Sequence, residues 1–239
     1  MKSNSFSYEG QELALFARAK RWKAYLHDQL APYLQGDVLE VGAGLGYTTA
    51  ALYTPNSRPS CNSWLCLEPD PENAKYLASR FAGEAIEVLQ GTLDSLAPSR
   101  RFDAILYIDV LEHIEHDDLE LARAKERLLP GGRLLILAPA HQWLYSPLDR
   151  AIGHYRRYSA SQLTRAIPPG LLQEKLVFLD SFGMLASLGS RFLLSSANPY
   201  PTPLQIRLWD GVMVPLSRRL DPLLRFRLGK SLLGIWRSN

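Results

Sequence analysis

The chain has 239 residues, 46% of them hydrophobic, and a formal net charge of +3, which suits one α/β core of ordinary size. Cys61 and Cys66 are too few for a disulfide framework, and neither has His or Cys neighbours at metal spacing. No apolar stretch reaches the roughly 18 residues that span a bilayer, and residues 1–10 lack a signal-peptide core, so we expect a cytoplasmic protein.

The first predicted element is an amphipathic helix over residues 12–30. Its apolar side chains recur among charged ones at helical spacing: Leu13, Phe16, Trp22 and Leu26. An apolar strand follows at 38–41, and a second helix is predicted to begin near Tyr47. Between this strand and this helix lies a turn rich in glycine, which is the most informative part of the chain.

The turn carries glycines at three alternate positions, Gly42, Gly44 and Gly46, just after the acidic Glu40. Glycine is needed where the backbone adopts positive φ or passes a ligand without a Cβ, so the turn indicates a cradle for an adenosine-containing cofactor. The spacing is one residue shorter than the dinucleotide fingerprint, and a carboxylate suits a cation better than a diphosphate. S-adenosylmethionine is cationic at sulfur and nitrogen and has no phosphate. The segment resembles motif I of the class I S-adenosylmethionine-dependent methyltransferases.

A second apolar strand is predicted at 64–68 and ends in Glu68, 22 residues after Gly46. That is near the distance at which an acid meets ribose hydroxyls in nucleotide-binding α/β units. The feature is shared with dehydrogenases and does not distinguish the cofactors. Pro69 ends the strand, and a helix is predicted over 72–81. The resemblance implies that Glu68 and Pro69 contact the cofactor.

A third strand is predicted at 86–90, before the residues Gly91-Thr92-Leu93-Asp94. In the family this turn holds the adenine ring, so the resemblance implies that Thr92, Leu93 or Asp94 contacts adenine. Many relatives have Asp directly after the glycine. The Thr at position 92 departs from that pattern and leaves the partner of the adenine amino group open.

The fourth strand is predicted at 102–108 and is followed by Asp109-Val110-Leu-Glu112-His113, a D/E-x-x-E-H turn. This turn resembles one found in many O- and C-methyltransferases, and it implies that Asp109 and Val110 contact the cofactor. The run at 128–137 resembles the family's helix end, reversal and fifth strand. The resemblance covers residues 36–140.

The elements alternate between strand and helix, which predicts a parallel sheet with right-handed crossovers. A capped helix is predicted from Ser159, a sixth strand at 174–181 and a seventh at 231–236. The resemblance implies a Rossmann-like α/β fold with a mostly parallel seven-stranded sheet, order 3-2-1-4-5-7-6, and helices on both faces. We expect one domain over 1–239, with a lid helix at 1–35 and a helical insertion at 183–228.

His113 admits three interpretations. It follows the fourth strand directly and could act as a general base for the acceptor. It could instead support the turn together with Glu112. A third option is a divalent metal, because Asp109, Glu112 and His113 fall at i, i+3 and i+4 on one side of a helical turn. Some relatives use an E-x-x-E-H version of this turn for a cation, while many D-x-x-E-H relatives have no assigned metal, and we expect none here.

Residues 138–158 carry two His, three Arg and three Tyr with little helical periodicity, and functional groups concentrate on such loops. The segment resembles a bacterial branch of the superfamily, type-11 and type-12-like, with an A-P-A-H…G-H-x-R-R-Y pattern. We expect His141 and His154 to be catalytic. Acceptor binding is expected of four further residues: Tyr145, Arg156, Arg157 and Tyr158. The competing interpretation is that Asp149 and the arginines form a salt-bridge network that fixes the loop.

Charge is unevenly distributed along the chain. From Arg150 onward there are 13 Lys/Arg against 4 Asp/Glu, whereas the first 149 residues hold 14 against 20. Basic residues interleaved with large apolar ones fit an anionic lipid, a membrane face or nucleic acid. The alternative is an ordinary solvated surface over a core. Peripheral contact with the inner face of a membrane is therefore one option for the C-terminal half.

Together these features predict an enzyme that transfers a methyl group from S-adenosylmethionine to a small, largely apolar acceptor, lipid-linked or of the secondary-metabolite type, and releases S-adenosylhomocysteine. The transfer is expected to be an in-line displacement. The alternatives are an RNA or DNA methyltransferase, a nicotinamide oxidoreductase and a non-catalytic binding protein of the same fold. No family nucleic-acid motif is present, so nucleic acid is not the expected partner. No obligate protein partner is inferred.

Overall fold

The computed structural model describes residues 11–53, 61–193 and 199–239. Residues 1–10 of the predicted lid and residues 194–198 of the predicted insertion lie outside this part of the chain. The strands are, in chain order, β1 (Gly36–Val41), β2 (Cys61–Glu68), β3 (Ile86–Gln90), β4 (Phe102–Ile108), β5 (Leu128–Pro139), β6 (Leu171–Leu179) and β7 (Ser231–Ser238).

All seven strands belong to one sheet with the order β3-β2-β1-β4-β5-β7-β6. The first five pair in parallel, and β7 is antiparallel to both β5 and β6. The predicted fold class and strand order are confirmed. The carboxyl ends of β1, β4 and β5 therefore lie side by side at one edge, which is where open α/β sheets bind ligands.

Helices connect the strands and cover the sheet: α1 (Gln11–Phe16), α2 (Lys20–Leu30), α3 (Thr49–Leu52), α4 (Pro71–Arg80), α5 (Asp117–Glu126), α6 (Pro147–Ala151), α7 (Ala160–Ala166), α8 (Ser181–Leu193), α9 (Pro203–Leu208) and α10 (Val214–Leu223). A π-turn at Trp209–Met213 joins α9 to α10. Side-chain caps lie at the starts of α4 and α7, and the second of these is the cap that the sequence predicts. Asp70 accepts from the amides of Glu72 and Asn73 before α4, and Ser159 forms a capping box with Gln162 before α7.

Two apolar cores lie on opposite faces of the sheet. One contains Trp22 and Leu26 from α2 together with Trp209 from the π-turn, packed on strand residues such as Leu135. The other contains Leu121 of α5 and is formed by the alternate residues of the same strands. Because the parallel strands are covered on both faces, they read in the sequence as continuous apolar runs.

The N-terminal helix differs from the prediction. The sequence predicts one helix over 12–30, but the chain forms α1 and α2 with a break at residues 17–19. The first amides of α2 are capped from a distant part of the chain, since the Asp210 carboxylate accepts from the backbone N–H groups of Arg21 at 3.2 Å and Trp22 at 2.8 Å. A tertiary cap of this kind has no signal in the local sequence.

The last strands are displaced from their predicted bounds. The sixth strand is shifted toward the N-terminus, to Leu171–Leu179, because Asp180 adopts φ 65° and the chain turns into α8 there. The seventh extends beyond residue 236 to Ser238, since it pairs along its whole length between β5 and β6. Among the described residues, no helix is both long enough and apolar enough to cross a bilayer.

Candidate active site

The glycine-rich turn lies at the carboxyl end of β1 and forms a bend without side chains. Gly42, Gly44 and Gly46 have φ values of 67°, 56° and 71°, in the left-handed region that favours glycine. A Cβ added at Gly42 would lie 2.7 Å from Val110 Cγ2, and one at Gly46 would lie 2.4 Å from Leu77 Cδ1. The turn is therefore packed closely from below, and its other side is open to a ligand.

Glu68, at the end of β2, holds this turn in place. Its Oε2 accepts from the Gly44 amide at 2.7 Å, and its Oε1 accepts from the Asp70 amide at 3.0 Å. Burial raises the pKa of Glu68, and the two amide hydrogen bonds oppose that shift. The carboxylate thus has a structural task in addition to the ribose contact that the sequence predicts, and the ribose contact stays a prediction.

Glu40 is buried beneath the turn at 2% exposure and faces a cavity. Its Oε2 accepts from Trp64 Nε1 at 3.1 Å. Burial raises the pKa of Glu40 to about 7, although hydrogen bonds from Thr49, Trp64 and Cys66 favour the ionised form. The group is therefore poised between its two protonation states near neutral pH, and a cation beside it would favour the carboxylate.

The cavity that Glu40 faces has a volume of about 300 Å³ and extends from the glycine-rich turn to the loop after β5. This is the lower end of the range found for small-molecule sites. Part of its wall is apolar and is supplied by α1, α2, that loop and the π-turn: Phe16, Trp22, Leu26, Leu144, Leu148 and Trp209. The combination of an apolar wall and several charged groups suits an organic ligand that is itself largely apolar.

Asp109 follows β4 with φ 53° and lines the cavity, to which its side chain is exposed. Burial raises the pKa of Asp109 to about 6, and the charges of His154, Lys230 and Lys23 counteract part of that increase. A non-glycine residue at positive φ is strained and such positions concentrate at functional sites. The neighbouring Val110 packs beneath Gly42.

The residues predicted near adenine lie outside the lining of the cavity. Thr92 caps a short 3₁₀ turn at Leu93–Ser95, in which its side chain and that of Ser95 bond reciprocally to the backbone. Leu93 is buried in the core. Pro69 follows Glu68 and also lies outside the cavity lining. Contacts of Pro69, Thr92 and Leu93 with the cofactor stay predictions.

The loop after β5 holds the most tightly connected charged group of the site. His154 Nδ1 lies 2.8 Å from Asp149 Oδ1, and Arg157 binds both oxygens of the same carboxylate at 2.8 Å. Burial alone would raise the pKa of Asp149, but the hydrogen bonds from His154 and Arg157 outweigh it and hold that pKa below the usual range. Because a carboxylate only accepts, His154 Nδ1 carries the proton, which leaves Nε2 as an acceptor.

Glu112 and His113 stand beside this group. His154 Nε2 is 3.7 Å from Glu112 Oε1, and the rings of His113 and His154 meet edge to face at 4.5 Å. Within the described part of the chain, neither carboxyl oxygen of the fully buried Glu112 has a hydrogen-bond partner. Burial, and then the charge of Asp109, raises the pKa of Glu112 well above its usual range. Burial lowers the pKa of His113 to about 3, so its ring is neutral.

One donor set could hold a divalent ion. One ligand atom each of Glu112, His113 and His154 lie within 4.8 Å of one another. Asp109 does not belong to this group. The third possible ligand beside Glu112 and His113 is therefore His154, and not Asp109 as in the set that the sequence suggests. A carboxylate and two imidazoles suit Zn²⁺ or Fe²⁺ better than Mg²⁺. The two unpartnered oxygens of Glu112 fit this interpretation.

His141 and Tyr145 have other partners. The His141 ring stacks on Phe178 at 4.9 Å, and its Nε2 lies 3.1 Å from the Gly229 carbonyl. The sequence predicts that His141 and His154 are both catalytic, but only His154 lines the cavity. Tyr145 donates its hydroxyl proton to the His154 carbonyl at 2.6 Å, which positions the histidine and leaves the hydroxyl oxygen able only to accept.

The arginines form the internal network that was the competing interpretation. Arg156 pairs with Asp117 at 2.8 Å on the outer side of the loop, and Tyr158 donates to the same Asp117 at 2.6 Å. Tyr158 is buried, and Arg156 lies outside the cavity lining. Arg157 does line the cavity, and its Nε and Nη2 bond to the two oxygens of Asp149, so acceptor binding by the rest of its guanidinium stays a prediction.

Two lysines of the cavity wall were missed by the sequence analysis. Lys23 Nζ donates to the Phe16 carbonyl at 2.6 Å, and burial lowers the pKa of Lys23 to about 8. Lys230 Nζ lies 3.4 Å from Asp180 Oδ2 and 3.9 Å from the ring centre of Trp209, and burial lowers its pKa. Lys23 follows Phe16 by seven residues and so lies on the apolar face of the single helix that the sequence predicts, which was the available signal. No such signal in the sequence pointed to Lys230.

Comparisons with known proteins agree with this geometry. A family model described as a methyltransferase domain matches residues 15–167, and the chain belongs to this family. With its sheet order and glycine-rich turn, the protein is a member of the class I S-adenosylmethionine-dependent methyltransferases. The turn, with no side chain in the bend and Glu40 beneath it, fits S-adenosylmethionine as the cofactor.

The individual proteins that the chain resembles have low sequence identity to it. The ubiquinone biosynthesis O-methyltransferase of Azorhizobium caulinodans is 30% identical over 126 residues, which are 51% of this chain and 48% of that protein, so the match spans about half of the relative. The N-methyltransferase NodS from Bradyrhizobium japonicum, solved with S-adenosylhomocysteine, aligns over 93% of this chain and 87% of its own, with 15% identity and a TM-score of 0.57. A structure of a complex between the Haloferax volcanii Trm112 methyltransferase activator and a putative methyltransferase aligns over 96% of this chain and 94% of its own, with 16% identity and a TM-score of 0.61.

Proposed function

We propose that the protein transfers a methyl group from S-adenosylmethionine to a small, largely apolar acceptor, and that His154 takes the acceptor's proton. The observation that carries this proposal is the Asp149–His154 pair at 2.8 Å in the wall of the cavity that the glycine-rich turn also borders. Methyl donor and proton acceptor would thus meet in one space. The O-methyltransferase relative lends support to an oxygen nucleophile.

S-adenosylmethionine, when bound, supplies an electrophilic methyl group, which the acceptor attacks in line so that S-adenosylhomocysteine is the leaving group. Glu40 and the backbone of Gly42 and Gly44 would bind the amino-acid end of the cofactor, where the anionic carboxylate of Glu40 offsets positive charge. The acceptor's proton passes to His154 Nε2. Asp149 orients the ring and stabilises the imidazolium that forms.

The acceptor class is supported by the apolar residues of the wall, among them Phe16, Trp22 and Trp209. Incubation of the protein and labelled S-adenosylmethionine with separated lipid, RNA and aqueous fractions of host cells tests it. We expect label in the organic-soluble fraction. Label in RNA would favour the nucleic-acid alternative, and cofactor binding without any labelled product would favour a non-catalytic protein.

The base is tested with His154→Gln. General-base removal costs about 10²–10⁴-fold in rate, while the Kd for S-adenosylmethionine should change little. His116→Gln is the matched control, because His116 is exposed at the start of α5. Full turnover by His154→Gln would refute the proposed role of the histidine.

A metal at Glu112, His113 and His154 is the second candidate, favoured by the two unpartnered oxygens of Glu112. Metal analysis of the purified protein, before and after dialysis against a chelator, distinguishes it. One bound equivalent that disappears in Glu112→Gln, with activity restored to the dialysed wild type by added metal, would support an ion. An absence of bound metal and unchanged activity after dialysis would support the metal-free base.

A further inference from the structure

The insertion before β7 contains one long helix whose two sides differ in character. It comprises α9, the π-turn and α10, over residues 203–223, and we call it the arm helix. Its inner side is fixed to the rest of the protein by buried polar contacts. Trp209 Nε1 donates to Asp180 at 2.7 Å, Asp210 caps α2, and Asp221 accepts from the hydroxyl of Tyr25 at 2.9 Å.

The outer side carries a row of large apolar side chains in water. Five exposed residues form this row, which we call the arm ridge: Leu204, Leu208, Val212, Leu216 and Leu223. Leu204 is 73% exposed and Leu223 is 78% exposed. Residues four apart drift around an α-helix by about 40° per step. The π-turn has more residues per turn than an α-helix, which offsets part of this rotation, so the first four residues of the arm ridge lie along one side of the helix.

Positive charge flanks the arm ridge. Arg207 and Arg219 each follow a ridge leucine by three residues, which puts both on the same flank, and both are exposed. Arg218, on the other side, pairs with Asp28 of α2. The acidic residues of the arm helix are Asp210 and Asp221, and both are buried against the core. The outer side of this helix therefore carries positive charge and no acidic side chain.

We propose that the arm ridge binds the surface of an anionic lipid bilayer, with its apolar side chains entering the headgroup region and its arginines contacting lipid phosphates. A contiguous exposed apolar patch on a soluble domain marks an interaction surface. An apolar row beside basic residues on one helix is the pattern of helices that lie in the membrane interface. A row of aliphatic side chains also distinguishes this surface from a nucleic-acid site, in which basic residues alternate with isolated stacking aromatic residues.

The arm ridge lies behind the wall of the active-site cavity. Trp209 on the inner side of the arm helix lines that cavity, and Lys230 covers the Trp209 ring. If the acceptor is lipid-like, as in the proposed function, bilayer binding would bring the cavity wall close to the acceptor's source. The bilayer contact itself requires neither cofactor nor acceptor, so it can be tested apart from methyl transfer.

Flotation of the full chain with vesicles tests the proposal. The vesicles contain either phosphatidylcholine alone or about three parts of it to one part of anionic phosphatidylglycerol. We expect binding to the anionic vesicles, reduced at least about tenfold on pure phosphatidylcholine and at high salt. Leu204→Gln with Leu208→Gln should weaken binding at least about tenfold. The matched control is Leu119→Gln with Leu172→Gln, two exposed leucines that do not belong to the arm helix.

Three outcomes would overturn the proposal. The first is no binding of the wild type to anionic vesicles. The second is an equal loss in the arm and control variants, with normal S-adenosylmethionine binding to show that both are folded. The third is a wild-type dimer, seen by light scattering, that Leu204→Gln and Leu208→Gln dissociate while vesicle binding is absent, because the arm ridge would then be an interface between copies of this chain.

Discussion

Replacement of Glu40 by Gln should weaken S-adenosylmethionine binding about 10- to 100-fold at pH 8. Glu40 lines the cavity beneath the glycine-rich turn, and its carboxylate would meet the positive charge of the ligand. A hydrogen bond to a charged group contributes about 1.5–3 kcal/mol, which corresponds to this range of Kd. Gln keeps the size of the side chain and an oxygen that can accept from Trp64 Nε1, so the packing of the turn is preserved.

The same substitution should flatten the pH dependence of binding. Burial raises the pKa of Glu40 to about 7, so the ionised fraction grows as the pH rises through neutrality. Between pH 6 and pH 8 that fraction increases about tenfold, and the wild-type Kd should fall by roughly the same factor. Asp109 and Lys23 also titrate nearby, with pKa values of about 6 and 8, but both remain in the variant. The difference between the two pH profiles therefore isolates Glu40.

Isothermal titration calorimetry in buffers of different ionisation enthalpy provides the measurement. At about pH 7 the wild type should release a proton from Glu40 when the ligand binds, and Glu40→Gln should release correspondingly less. Parallel pH profiles for the two proteins, or equal affinity at pH 8, would refute the pairing between this carboxylate and the cationic ligand.

Stability without ligand should move in the opposite direction. The folded-state pKa of Glu40 is about 7 and the ordinary value is 4.5. The neutral group is thus favoured by folding, and that stability is fully present below about pH 4.5 and is lost as the pH rises to 7. Glu40→Gln has no such loss, so it should gain up to about 3 kcal/mol relative to the wild type between pH 5 and pH 8. A Tm difference that stays constant over this range would contradict the shift.

Two further substitutions test the architecture around the site. Gly46→Ala places a Cβ 2.4 Å from Leu77 Cδ1 and should destabilise the fold by more than about 2 kcal/mol in a urea titration. The control is Gly83→Ala, which also has positive φ but open space around the new Cβ and should cost only about 1 kcal/mol. Similar losses of stability in the two variants would exclude a steric cause. Asp221 accepts from the Asp180 amide through Oδ2 and from the Ser181 amide through Oδ1, and Asp221→Asn keeps only one of these two acceptors, so it should lower stability by about 2–4 kcal/mol in the same assay. An unchanged denaturation midpoint would show that these bonds contribute little.

The sheet and its glycine-rich turn were predictable because their signals are local. A buried parallel strand must be apolar over four or more residues, and a bend with repeated positive φ requires glycine, so residues 38–46 are distinctive within nine positions. The same holds for the Ser159 cap of α7, which depends on residues three apart. The strand order needed the resemblance, since nothing local places β7 between β5 and β6.

The composition of the charged cluster could be predicted only in part. Asp149, His154 and Arg157 lie within nine residues and interact as neighbours, so the loop was recognisable as a polar network. Glu112 approaches His154 from 42 positions away. His141 lies in the same polar segment as His154, yet its backbone adopts a φ of 65° and its ring packs on Phe178. Tertiary packing decides which histidine faces the cavity, and local sequence patterns carry no information about that packing.

The arm helix and the cavity wall are linked by two buried carboxylates. Asp210 caps α2, the helix that carries Lys23, while Asp180 joins Trp209 and Lys230, which both line the cavity. Because breaking the hydrogen bonds of a buried carboxylate costs several kcal/mol, we expect the arm helix and the two lysines to move together. A ligand that displaces either lysine should therefore alter the position of the arm helix, and a surface that holds the arm helix should alter the width of the cavity.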